Sequence, residues 1–91
     1  MQYKNEKTLI YIKTLGSVIH KKRIAHSKDA RYNFCNSYEL DSSNLRRIEN
    51  GEIEPKITML LRISEALNIS LSELIKDVER ELGNDFHVIE H

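Results

Sequence analysis

The 91-residue chain has one cysteine, one proline, three glycines and no tryptophan. A single thiol, Cys35, cannot close an internal disulfide, so nothing points to a secreted disulfide scaffold. No neighbour in sequence supplies a nucleophile's partner set, and Cys35 reads as a small buried residue. So few glycines and prolines leave too little turn chemistry for a sandwich or barrel, and helix is the expected state. No apolar run approaches the roughly 18 residues of a membrane span, and the amino terminus lacks the apolar segment of a signal peptide. A soluble, cytoplasmic protein is expected. The length suits one domain with one core, built mainly of Leu and Ile because there are only two Phe and four Tyr. It leaves no room for a separate ligand domain, so no small-molecule ligand and no cofactor is expected.

Constellations for catalysis are missing as well. His20 and His26 do not share a helix face, and His87 and His91 fall in a terminal tail, so no metal set can be assembled with Cys35 or the carboxylates. There is no Ser–His–Asp set, no glycine-rich phosphate loop and no pair of carboxylates that can be argued into a cleft. An enzyme is not expected. Net charge is zero too, which taken alone argues against a nucleic-acid partner. Its distribution argues the other way. Residues 1–62 carry 12 Lys/Arg against 7 Asp/Glu, and residues 63–91 carry 2 against 7. That asymmetry suggests a basic, anion-facing end and an acidic end held away from it.

Helical periodicity runs along most of the chain. Residues 5–24 place Leu9, Ile12, Leu15 and Ile19 on one face with Ile10 and Val18 flanking, and Gly16 inside this helix suggests another helix approaching closely. His20, Lys21, Lys22 and Arg23 put cations at its negative end. Ser27 or Asp29 is expected to cap a second short helix reaching about Tyr38, with Phe34, Cys35 and Tyr38 inward. Glu39-Leu40 then turns tightly into a third, so the two form a helix-turn-helix. Pro55 bars helix at Glu54 and starts a fourth, with Ile57, Leu60, Leu61, Ser64 and Leu67 as its stripe and Ile63 on the flank. Ser70-Leu71-Ser72-Glu73 is a capping box opening a fifth, with Leu71, Leu74, Ile75, Val78 and Leu82 as its stripe, ending at Gly83. The expected fold is an all-α, compact five-helix bundle over residues 1–83. Residues 84–91 form a tail whose Phe86, Val88 and Ile89 could pair as a short strand.

The third helix, within DSSNLRRIENGEIEP from Asp41 to Pro55, carries the chemistry. Asp41 is an N-cap residue, and Asn50-Gly51 tolerate the left-handed conformation that stops a helix. Leu45 and Ile48 share an apolar side, while hydroxyls, an amide and guanidiniums fall on the others. Two turns lie far below the ~12–15 residues that stand alone, so neighbours must grip the apolar side. What is left outward suits base edges and phosphates.

The segments Leu15-Gly16-Ser17-Val18-Ile19 with Arg23, Leu45-Arg46-Arg47-Ile48-Glu49-Asn50-Gly51, Pro55, Leu60, Ile63, Ala66-Leu67 and Ser70-Leu71-Ser72-Glu73-Leu74 resemble the phage-repressor (Xre/Cro) type of helix-turn-helix domain. The resemblance implies a lambda-repressor-like DNA-binding domain with the third helix in the major groove of double-stranded DNA. It puts Ser42, Ser43 and Arg47 at base-contacting positions, with Asn44 and Arg46 adjacent. Asn50 and Arg31 fall at phosphate-contacting positions, joined by Arg46. Arg23 and Glu49 match a buried ion pair between the first and third helices. The chain departs from the pattern with Arg31 for Gln, Cys35 for Ala, Glu39 for the turn Gly, and Glu52 and Glu54 in a loop where many members are basic.

Arg47 can grip guanine O6 and N7 with two hydrogen bonds, and Asn44 offers the alternative of an adenine edge. One such domain reads few base pairs, so a homodimer on a palindromic site is expected, with Leu74, Val78, Leu82, Phe86 and Val88 as its surface. The function expected is a sequence-specific transcriptional regulator of repressor or controller type. The alternatives are an antitoxin-type autoregulator that binds a toxin partner, and a protein-interaction module that has lost DNA binding.

Overall fold

The computed structural model describes residues 5–89 and runs through five helices: α1 Glu6–His26, α2 Arg31–Ser37, α3 Ser42–Glu49, α4 Ile57–Ala66 and α5 Leu71–Leu82. Residues 1–4 of the expected domain and 90–91 of the expected tail, His91 included, lie outside the described residues. The order is all-α, with no strand among the described residues. The long α1 is the spine: α3 and α5 pack against it, α2 packs on α3 and α4 on α5. Leu15, Val18, Ile19, Phe34, Leu45, Ile48, Leu60, Ile63, Leu74 and Val78 form one buried core drawn from every helix. At about 1.5–3 kcal/mol per fully buried side chain of this type, this core is the main source of stability.

Local chemistry sets most helix ends. Asn5 caps α1 by accepting from Thr8 N, and Asp41 caps α3 by accepting from the backbone N–H groups of Ser43 and Asn44 at 2.9 and 3.2 Å. At the far end of α3, Gly51 takes φ 71°, its N–H donates to Ile48 O and that of Glu52 to Arg47 O. Those two bonds are the Schellman closure. Asn68, at φ 59°, closes α4 the same way through Ile69 N–H to Ser64 O. Ser70 accepts from Glu73 N–H to open α5, but the Glu73 carboxylate takes the Ser70 hydroxyl rather than a backbone N–H.

Several expectations are corrected. The first helix runs on to His26, and Ser27 ends it instead of starting the next. The second helix begins at Arg31 behind Ala30, whose side chain has no acceptor to cap it, and the Ser27 hydroxyl accepts from Asp29 N–H instead. Within α4, Ile57 and Leu61 are 65% and 45% exposed. The core sits on the Leu60–Ile63–Ser64–Leu67 side, and Leu61 lies about a quarter-turn from it. The tail pairs as no strand over residues 84–89, since no extended segment lies beside it. It folds along α1 by side-chain contacts instead: Phe86 packs on Tyr11 and under the Lys7 ammonium, and Asn5 Nδ2 donates to Val88 O at 2.7 Å.

The crossing of α1 over α3 is unusually close. A Cβ on Gly16 would collide with the Ile48 carbonyl oxygen and stand 2.9 Å from that of Glu49. Both obstacles are backbone and cannot swing aside. Gly16→Ala is therefore expected to destabilise by about 1–3 kcal/mol through overpacking, although alanine is the better helix former by about 1 kcal/mol. Urea unfolding measures this, and a variant as stable as the parent contradicts the close crossing.

Candidate nucleic-acid interface

With Leu45, Ile48 and Glu49 buried on one side of α3, the helical repeat fixes what faces away. At about 3.6 residues per turn, Ser43 and Arg47 project nearly opposite the buried side, and Asn50 follows a turn later. Ser43, Asn44, Arg46, Arg47 and Asn50 are all exposed. Ser42 differs. It lies at the edge of the buried side, is half-buried, and sits beside the Cys35 thiol of α2. Burial pushes the Cys35 thiol up, and the Ser42 side chain offsets part of that push. Ser42 thus helps seat α3 on α2 and offers less to a partner than Ser43.

An acid on this helix would repel DNA if it faced outward, and Glu49 does not. Its side chain is 1% exposed and Arg23 Nε donates to its Oε2 at 2.6 Å. Arg23 Nη2 reaches Oε1 at 3.1 Å, His20 Nδ1 lies 2.9 Å from Oε1, and Arg31 Nε donates to the same oxygen at 3.1 Å. An ionised carboxylate only accepts, so the His20 contact is a hydrogen bond in the form that carries a proton on Nδ1, the nitrogen that also lies 3.4 Å from Arg23 Nη2. Burial pushes the Glu49 carboxyl up, but hydrogen bonds from Arg23 and His20 and the charges of Arg23 and Arg31 outweigh it and hold the group below the usual carboxylate range. One carboxylate thereby ties α1, α2 and α3 together.

Sequence reasoning missed two parts of that cluster. Arg31, expected on phosphate, spends its guanidinium on Glu49 and keeps a quarter of its side chain exposed. His20 entered only as part of a basic helix end. Neither could be placed without knowing that α2 lies across the carboxylate. At the start of α3 the backbone N–H groups of Ser43 and Asn44 are taken up by Asp41, to which both donate. In the following loop, Glu52 lies 3.8 Å from Arg46 and accepts from Asn50 Nδ2 at 3.2 Å.

At the opposite end the expected partner surface is reduced. Leu74 and Val78 are fully buried within the chain's own core, because the apolar stripe of α5 is used up against α1 and α4. Leu82 and Phe86 are half-buried, and Val88 is exposed. Lys22 pairs with Asp77 and Lys21 with Glu81, so basic groups of α1 are matched to the acidic α5. No described helix is long and apolar enough to cross a membrane.

Comparison with known proteins shows the family. Residues 40–74, covering α3, α4 and the start of α5, match the family model described as helix-turn-helix. Control protein C.MunI of a Mycoplasma species is 33% identical over 66 residues, which span 72% of this chain and 89% of that protein. No solved structure matches the chain.

Removing the Glu49 carboxylate strands two guanidiniums, and Glu49→Ala is expected to cost ~3–5 kcal/mol, measured by chemical denaturation. Because the folded pKa is lowered, the contribution of Glu49 is complete above its unfolded value of about 4.3 and is lost as pH falls through the folded value. Glu49→Gln should therefore start less stable but lose less than the parent below about pH 4.3. Parallel acid limbs in the two proteins contradict the assignment.

Proposed function

The chain belongs to the helix-turn-helix family and is a DNA-binding transcriptional regulator; from that premise we propose that it reads the major groove with α3 as a homodimer on a palindromic site. The observation that carries this is the outward pair Ser43 and Arg47, turned directly away from a side of α3 that is anchored by Leu45, Ile48 and Glu49. Arg47 recognises guanine through O6 and N7, a contact worth about 1–3 kcal/mol of discrimination, with Asn44 and Ser43 beside it. Arg46, Asn50 and the exposed part of Arg31 contact backbone phosphate and set register. Ser42 contributes at the edge of the site.

The protein acts by occupying a promoter in the cytoplasm, not by catalysis. Its similarity to a protein named as a control protein favours the controller type of regulator. The partner surface narrows to Leu82, Phe86 and Val88, with the exposed Ile57 and Ile89 lining the same face as Val88.

Selection of bound sequences from a random duplex pool tests the proposal. The expected consensus is palindromic, with half-site centres roughly 10 base pairs apart. Arg47→Ala is expected to lose about 1–3 kcal/mol of preference at one guanine per half-site while retaining most of its affinity for unrelated duplex. A consensus without twofold symmetry overturns the homodimer, and an unchanged consensus for Arg47→Ala overturns the base assignment.

A further inference from the structure

We infer that Glu52 is a built-in competitor for the phosphate-facing groups of α3, holding Arg46 and Asn50 until DNA displaces it. The inference rests on the assignment of those two residues to phosphate. Three observations lead to it. The first is geometric: Glu52 Oε2 accepts from Asn50 Nδ2 at 3.2 Å and stands 3.8 Å from Arg46 Nη1, so one oxygen serves both groups. The second is that Glu52 is not on a free loop. Gly51 in its left-handed conformation and the bond from Glu52 N–H to Arg47 O fix its backbone against the end of α3. That position commonly bears an apolar side chain packed back on the helix. Here it bears a carboxylate that reaches sideways along the phosphate-facing edge. The third is the contrast between the two arginines. Arg46 is paired with Glu52, whereas Arg47 makes no ion pair or side-chain hydrogen bond with any described residue.

The physical consequence follows from exposure. Arg46 and Glu52 are 48% and 51% exposed, so their pair is screened and weak enough for a phosphate to replace. Replacement nevertheless leaves a carboxylate beside the phosphate. That repulsion is the same for every sequence, because phosphate carries no sequence information. Glu52 therefore lowers binding to all duplexes together and increases the share of the remaining affinity that Arg47 and its neighbours supply through bases. It also gives the chain a means of limiting non-specific occupancy without altering the base-reading face.

The test compares the parent chain, Glu52→Gln, Arg46→Ala and the double variant on the selected duplex and a scrambled one, across a salt series. Glutamine keeps an oxygen that accepts from Asn50, so the helix end is preserved; Glu52→Ala serves as the second variant should Glu52→Gln melt early. Glu54→Gln is the control for net charge, since Glu54 shares the loop and pairs with no described cation. Expected is about three- to tenfold tighter binding of Glu52→Gln to both duplexes, with a salt dependence steeper by about one phosphate contact. In the Arg46→Ala background the gain should shrink to about twofold or less, and Glu54→Gln should match the parent within about twofold. Unchanged or weaker binding by Glu52→Gln overturns the inference. So does an equal gain in the Arg46→Ala background or from Glu54→Gln, which would make it a net-charge effect. If the parent itself shows no salt-dependent affinity for either duplex, the reading of the interface fails, a result distinct from the other three.

Discussion

The carboxylate of Glu49 is the constraint on which the rest of the molecule depends. It sits at the end of an eight-residue helix that could not persist in water alone. Arg23 and His20 reach it from α1 and Arg31 from the start of α2, so three helices meet at two oxygen atoms. Burying that charge is unfavourable, and only a full set of donors makes it tolerable. The apolar contacts of Leu45 and Ile48 hold α3 against the core but could be made at more than one rotation. A carboxylate that must meet fixed guanidiniums permits one. The rotation it selects leaves Ser43 and Arg47 pointing away from the protein.

The same logic explains how a chain of zero net charge serves as a DNA-binding regulator. Much of the acid is either buried, as at Glu49, or carried on α5, where Asp77 and Glu81 pair with lysines of α1. What remains on the outer side of α3 is a short row of hydroxyl, amide and guanidinium groups. Within that row Arg47 has no ion-pair partner among the described residues and Arg46 is partly matched by Glu52, so the two adjacent arginines are not equivalent.

What could be read from the sequence was mostly local chemistry. Asp41 as a cap, Asn50-Gly51 as a stop, Pro55 before a helix and Ser70 as the start of the last one each act within a few residues, and each helix boundary they set is close to the one observed. The Gly16 crossing was legible because a glycine inside a strong helix is otherwise unfavourable. What escaped depends on neighbours distant in sequence. The apolar character of Ile57 and Leu61 does not reveal that α5 packs beside them and not over them. Leu74 and Val78 have the same stripe whether a protomer's own helices or a second copy covers it. Arg31 and His20 look like surface cations until α2 is laid across Glu49, and the tail resembles a strand only if another strand is there to receive it.

The most direct test of this arrangement is backbone amide shift mapping during titration with a duplex carrying the selected site. The account predicts that the largest changes fall on Ser43, Asn44, Arg47 and Asn50, with smaller ones at Arg31 and none of comparable size along the acidic face of α5. Changes concentrated on α5 while the amides of α3 stay still would contradict it.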